Sequence, residues 1–293
     1  MGILLSDVGL GDESFNDSAF RGLENARDEL GVLFDYREAI DGNNEGQLEE
    51  LIKQENDLVI SLGFAVQEAL EKVAQEKPEQ RFLLIDGISE LENVTSVSFI
   101  EHEGSFLVGM VAAMTTRTNK IGFIGGADFP LIHKFEVGFT QGAKYVNPGI
   151  EVFTDYANNF GDAGLGRTIT KKQMKIGVDF IYPAAGYTGF GALQAAQDAN
   201  VWGAGVDSDQ FFIAEKAVVT SMLKNIDVAV YNITKELLET GTLSQSVYEL
   251  GLIENGVALA PIRAHELLPE EVNLIESARE KIISGSLTVQ STK

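Results

Sequence analysis

Short apolar runs alternate with amphipathic stretches over residues 3–114, and the same alternation restarts at 120; no other feature confines this chain to so few folds. A short apolar run bounded by turn residues reads as a strand buried on both faces, and apolar residues at a spacing of three and four read as a helix. That order requires parallel sheets with helices on both faces. In the first half, strands are predicted at 3–5, 32–36, 58–61, 81–85 and 94–99, with helices at 17–30, 45–55 and 64–75. An apolar helix at 104–114 carries Gly104, Gly109, Ala112 and Ala113, small residues that suit tight packing against a neighbour. In the second half, strands are predicted at 120–124, 152–156, 180–182, 201–206 and 218–221, with helices at 130–146, 164–176, 189–198 and 226–239. A strand pair, 246–251 with 257–261, joined by a hairpin turn at Glu254-Asn255-Gly256, precedes an acidic helix at 269–283.

The chain therefore reads as α/β, with two doubly wound parallel-sheet lobes in series. The first lobe is expected at 1–117 plus 246–285 and the second at 118–245, with 286–293 a tail. In open α/β sheets, ligands bind beyond the carboxyl ends of the strands. Two such sheets facing each other would define one ligand cleft.

Composition removes several function classes. Lysine and arginine total 22 against 44 acidic residues, a net charge of −22, whereas a nucleic-acid partner calls for a basic surface. There is no cysteine, which excludes disulfides, thiolate catalysis and cysteine-ligated zinc. The three histidines, His102, His133 and His265, lie far apart without metal-ligand spacing, so no metal site is expected. No GxSxG elbow and no GxxxxGK[ST] loop occurs, and the glycines at Gly122, Gly125 and Gly126 make a tight strand–helix turn rather than a dinucleotide fingerprint. No apolar run approaches the roughly 18 residues of a membrane helix.

The residues at the predicted strand ends are hydrogen-bonding groups and aromatics, which serve recognition rather than bond cleavage. The first strand runs into Ser6-Asp7, then a polar, glycine-rich loop with Phe15 and Asn16. Asp86 follows the strand at 81–85, and Phe160 stands in the polar loop after 152–156. Gly186, Asp207 and Lys224 follow the strands at 180–182, 201–206 and 218–221. Singly, each is more often a turn or cap residue, and Phe15 serves equally as a core plug or a ligand platform. Together they exceed what turns require.

The same residues carry a family resemblance. Ser6-Asp7-Val8-Gly9, with Asp12-Glu13-Ser14-Phe15-Asn16-Asp17-Ser18-Ala19-Phe20-Arg21-Gly22, resembles the N-terminal signature of the basic membrane protein family. That family includes the purine nucleoside receptor lipoproteins of bacterial ABC importers. Further similar blocks are Gly122-Phe123-Ile124-Gly125-Gly126 with Gly138-Phe139 and Val146-Asn147-Pro148, then Gly205-Val206-Asp207-Ser208-Asp209-Gln210, then Thr220-Ser221-Met222-Leu223-Lys224-Asn225. The resemblance spans essentially the whole chain.

It implies the type I periplasmic-binding-protein fold, with Phe15 and Phe160 sandwiching a base. Asn16 and Asp86 would lie near the base edge; Asp207, Lys224 and Gly186 would lie near the ribose, with Asp7 close by. The implied ligand is a nucleoside such as adenosine, guanosine or inosine, the implied partner an ABC permease, and the implied state a monomer without cofactor, metal or catalytic residues. Family members are exported and lipid-anchored through a signal and a lipobox cysteine, so the full-length protein is expected at the outer side of the cell membrane. Tyr182-Pro183-Ala184-Ala185-Gly186 also resembles relatives described as regulators of competence genes. A ligand-sensing regulator of the same fold is thus the first alternative, and a nucleoside-processing enzyme the second.

Overall fold

The computed structural model describes residues 1–39 and 42–292. In chain order the first segment forms β1 (Gly2–Leu5), α1 (Phe15–Leu30), β2 (Asp35–Glu38), α2 (Asn44–Lys53), β3 (Val59–Leu62), α3 (Gln67–Glu76), β4 (Phe82–Ile85) and β5 (Val94–Phe99). The second forms α4 (Glu101–Thr115), β6 (Lys120–Gly125), α5 (Pro130–Val146), β7 (Glu151–Tyr156), α6 (Ala163–Lys175), β8 (Phe180–Ala184), α7 (Gly186–Asp198), β9 (Trp202–Asp207) and β10 (Val218–Lys224). Then come α8 (Ile226–Thr240), β11 (Val247–Leu250), β12 (Val257–Leu259) and α9 (Pro269–Ile283). These fall into two compact units, Met1–Phe99 with Ile226–Leu250, and Ile100–Asn225 with Gly251–Lys293.

The first unit holds a sheet in the order β11-β5-β4-β3-β1-β2, parallel throughout. Its inner strands are buried end to end, as parallel strands covered on both faces must be: Ile3, Leu4, Leu5, Leu83, Leu84 and Ile85 are fully inaccessible. One core layer joins Leu4, Val59, Phe82 and Leu84 of the sheet to Leu48 and Leu51 of α2 and Leu70 and Val73 of α3. Across α1 and α8, Arg21 pairs with Asp227 at 3.2 Å and the Tyr231 hydroxyl donates to Glu29 at 2.8 Å.

The second unit repeats the plan in the order β12-β10-β9-β8-β6-β7, with β12 antiparallel to β10. Its core includes Ile124, Ile181, Ala192, Leu193, Ala196 and Val218. The small residues of α4 do permit close packing. A Cβ on Gly109 would come 2.0 Å from the Phe139 carbonyl oxygen of α5, and one on Gly142 would come 1.8 Å from that of Phe106.

Three sequence expectations are corrected. The second strand is Asp35–Glu38, not 32–36. It is a polar edge strand placed by its ladder to β1, while the buried Val32 belongs to the end of α1, where Gly31 is left-handed and the Val32 N–H reaches the Ala26 carbonyl. The segments at 246–251 and 257–261 are not a hairpin pair, because β11 extends the first sheet beside β5 and β12 extends the second beside β10. The turn between them is real, with the Gly256 N–H bonded to the Gly251 carbonyl at 2.8 Å, and it carries the chain from one sheet to the other. The chain also divides elsewhere than the expected lobes: α4 and α9 lie with the second unit and α8 with the first. An apolar helix face announces burial without saying which sheet will bury it.

Candidate functional site

Each sheet reverses its winding once. In the first unit the chain goes from β1 to β2 on one side and continues through β3 and β4 on the other, so the switch lies between β1 and β3. In the second it lies between β6 and β8. A crevice opens at such a point beyond the carboxyl strand ends, where ligands of open α/β sheets bind.

Phe15 opens α1 after the loop at 6–14 that leaves β1, and its ring lies near Gly63 at the end of β3: a Cβ on Gly63 would stand 3.7 Å from Phe15 Cε1. The ring is half-buried and flanks the switch point. The loop that carries it is tied down by two buried residues. The Asp12 carboxylate accepts from the N–H groups of Ser14 (2.9 Å), Asn16 (2.8 Å) and Asp17 (3.2 Å). The Asn16 side chain accepts from Ser6 N–H at 2.9 Å and donates to Ser6 Oγ at 2.8 Å and Asp12 at 2.9 Å. Burial pushes the Asp12 carboxyl above its ordinary value against the lowering effect of those backbone N–H groups.

An amide has two N–H donors, and Asn16 spends both inside the loop. It therefore ties the loop that carries Phe15 to Ser6 and Asp12. Asp7 is exposed in the turn after β1. Asp86 follows β4 directly, 6% exposed, with a left-handed φ of 65°.

In the second unit Phe160 follows β7, and its ring lies over the backbone at the end of β6. A Cβ on Gly126 would come 2.1 Å from Phe160 Cε1. Gly186, with φ 54°, opens α7 beside it, a Cβ there coming 3.2 Å from the Phe160 carbonyl oxygen. Thr188 pins this loop: its hydroxyl donates to the Asn159 carbonyl at 2.8 Å and accepts from Asp162 N–H at 2.9 Å. Gly126, read from sequence as a turn residue, is thus also the floor on which Phe160 rests.

Asp207 ends β9 with φ 62°. Because β9 in its sheet corresponds to β4 in the other, Asp86 and Asp207 hold equivalent strand ends in the same left-handed conformation, which non-glycine residues adopt uncommonly and which concentrates at functional sites. Lys224 ends the adjacent β10, where Asp207 pairs in register with Leu223.

The Lys224 ammonium is almost inaccessible and donates to Glu101 Oε1 at 3.0 Å. Glu101 is fully buried, and its Oε2 lies 3.3 Å from Lys134 Nζ. The Tyr182 hydroxyl, 3.1 Å from Ser105 Oγ, is held well above its ordinary range by burial, with the charges of Asp207 and Glu101 acting in the same direction. Glu101 and Lys134 were not singled out in sequence; an acid in the first turn of a helix and a lysine on an amphipathic one give no signal. All eight expected residues lie at a carboxyl strand end or in the loop or first helical turn that follows one, four in each unit. Among the described residues, no three His, Cys, Asp or Glu side chains cluster as metal ligands, and no helix is long and apolar enough to cross a membrane.

Residues 2–293 match the family described as ABC transporter substrate-binding protein, PnrA-like. The CD4+ T-cell-stimulating antigen of Listeria monocytogenes serovar 1/2a is 32% identical, over 96% of this chain and 85% of that one. Basic membrane protein A of Borreliella afzelii is 30% identical, over 99% and 91%. Among solved structures, an ABC transporter solute-binding protein of Aeropyrum pernix K1 superposes with a TM-score of 0.88 at 30% identity, covering 100% of this chain and 93% of that one. A transcriptional activator of the comK gene from Bacillus halodurans gives 0.84 at 25%, covering 99% of each. These neighbours share the type I fold of periplasmic solute-binding proteins.

Proposed function

The chain belongs to the PnrA-like family of ABC transporter substrate-binding proteins, and from that membership we propose that it captures a nucleoside of the purine class for import. The observation that carries the reading is the pair of phenylalanines, Phe15 and Phe160, each beside the switch point of its own sheet. Both units contribute to one binding event: Phe15 stacks on one face of the base and Phe160 on the other. Base–aromatic stacking contributes about 1–3 kcal/mol per base. Asp86 accepts from the base edge, while Asp207 accepts from ribose hydroxyls and Lys224 donates to them, with Asp7 and the Gly186 backbone nearby.

A site whose polar groups are matched to those hydroxyls rejects analogues lacking them, since its own groups would be left unpaired. The ligand biases closure of the units only through its differential affinity for the closed state. A permease reads that state, and no covalent step is assigned. Substrate-binding proteins of ABC importers work outside the cytoplasm, and we propose that this one works there as a lipid-anchored monomer.

The test is a thermal-shift panel of purine and pyrimidine nucleosides, free bases and ribose on refolded, ligand-free protein. A rise in melting temperature with a purine nucleoside, and none with its base or ribose alone, is expected. No rise with any nucleoside overturns the reading. A second reading, a ligand-sensing regulator, draws on the likeness to the Bacillus halodurans activator. Loss of nucleoside uptake on deletion of the gene would favour import, whereas unchanged uptake with altered gene expression would favour the regulator.

A further inference from the structure

Ser14 stands at the N-cap of α1, yet its side chain makes no capping hydrogen bond. The cap comes instead from Asp12, two residues upstream. Asp12 Oδ1 accepts from the N–H groups of Ser14 and Asp17, and Oδ2 accepts from the N–H and the side-chain amide of Asn16. A serine or aspartate at the N-cap itself satisfies the first turn of a helix without fixing what precedes it. A cap reached from residue 12 does both, because it closes the chain from 12 to 17 around one carboxylate. Phe15, the first residue of α1, lies inside that turn.

Asp17 holds the other side of the turn. Its Oδ1 accepts from Gly11 N–H at 2.8 Å and its Oδ2 from Glu13 N–H at 2.9 Å. Gly11 and Glu13 have φ of 89° and 54°, and a left-handed backbone at a residue with a side chain persists only when its surroundings hold it. Both carboxylates stand at the N-terminus of α1, where the open N–H groups favour negative charge.

The chemistry required of residue 12 is narrow. Each oxygen receives two donors, so both must be acceptors, and only an ionised carboxylate offers two. An amide of the same shape would turn its NH2 group onto two donors, whichever way it was rotated.

We propose that Asp12 and Asp17 are positioning residues for the ligand: they set the Phe15 ring beside the switch point of the first sheet before the ligand arrives, and act on the ligand only through that ring. The inference rests on the reading of Phe15 as a stacking group given above. A ring fixed in advance loses no freedom on binding, so affinity depends on the carboxylates that fix it.

The experiment is a double-mutant cycle, read by calorimetric titration of adenosine, guanosine and inosine into the full chain, with folding followed by circular dichroism. Asp12→Asn should weaken nucleoside binding by about tenfold or more, the scale set by leaving buried donors unpaired. In the pair Asp12→Asn with Phe15→Ala, affinity should fall no more than about twofold below that of Phe15→Ala alone, since no ring is left to position. A role confined to stability would leave the affinity of folded Asp12→Asn unchanged, and direct contact with the ligand would make the two losses add. Either result overturns the inference while leaving the nucleoside reading intact. A wild type that binds no nucleoside, or a Phe15→Ala variant that binds like wild type, overturns the stacking reading as well. If Asp12→Asn does not fold, Asp17→Asn carries the same cycle, because the bonds it alters are exposed. It should lose affinity by about threefold or more, the scale of one hydrogen bond, and add nothing to the loss in Phe15→Ala. A folded Asp17→Asn with wild-type affinity, or with additive losses, overturns the inference equally.

Discussion

Gly126 leaves the space that the Phe160 ring occupies, since a Cβ there would stand 2.1 Å from Phe160 Cε1. Phe160 is half-buried, so its ring can swing toward solvent when the floor rises. Gly126→Ala should therefore move the ring at little cost to folding, within about 1 kcal/mol, because the strain is relieved by a partly exposed side chain. Nucleoside affinity should fall at least tenfold, about 1.4 kcal/mol, close to the loss in Phe160→Ala. Calorimetric titration of both variants checks this; wild-type affinity in Gly126→Ala would remove Phe160 from the stacking role.

Asn16 and Phe15 are neighbours in sequence with different work. Phe15→Ala and Asp207→Ala should each weaken nucleoside binding at least tenfold without unfolding the protein. Asn16→Ala removes three hydrogen bonds by which its buried side chain ties the loop to Ser6 and Asp12. It should lower stability by about 1–3 kcal/mol, the cost of leaving buried polar groups unpaired, and weaken binding by letting Phe15 wander. Urea denaturation beside the titrations separates the two: equal stability in Asn16→Ala and Phe15→Ala would mean that Asn16 is not what holds the loop.

The alternation of apolar runs and helical stretches was enough to read the two α/β halves and the strand ends that carry Asp7, Phe15, Asn16, Asp86, Phe160, Gly186, Asp207 and Lys224. It worked because inner parallel strands such as β4 must be apolar throughout. It failed at β2, whose residues Asp35 to Glu38 are polar because only a sheet edge holds them. It failed again at β11 and β12, where the turn at Glu254-Asn255-Gly256 has hairpin chemistry but connects two different sheets. Glu101 was illegible for another reason. Its burial comes from Lys224, 123 residues away in the chain, and no local pattern records that pairing.

The contact between α4 and α5 is backbone against backbone, so it should tolerate no added methyl group. A Cβ at Gly142 would lie 1.8 Å from the Phe106 carbonyl oxygen, with no flexible side chain to yield. Gly142→Ala should cost about 1–3 kcal/mol through forced separation of the helices. Gly149→Ala is the control: a Cβ there meets nothing nearer than Asn147 Oδ1 at 3.5 Å, so its effect should stay within about 0.5 kcal/mol. Equal melting temperatures for the two variants would contradict the tight helix contact.

His102 supplies a pH dependence whose sign is fixed by its surroundings. Its imidazole is held below the ordinary 6.5, first by burial and then by the Lys134 ammonium, with Glu101 opposing them. The unfolded chain therefore takes up a proton at a higher pH than the folded chain does. By linkage, stability rises with pH wherever the unfolded state binds more protons. The contribution of neutral His102 is complete above about pH 6.5 and is lost as the pH falls through the lower, folded value. His102→Gln removes that titration and leaves the other groups in place. Urea denaturation at pH 8, 6.5 and 5 should show the stability of wild type minus that of His102→Gln shrinking as the pH drops below 6.5. A difference that stays constant across the range would mean that His102 titrates alike in both states and that its burial beside Lys134 carries no cost.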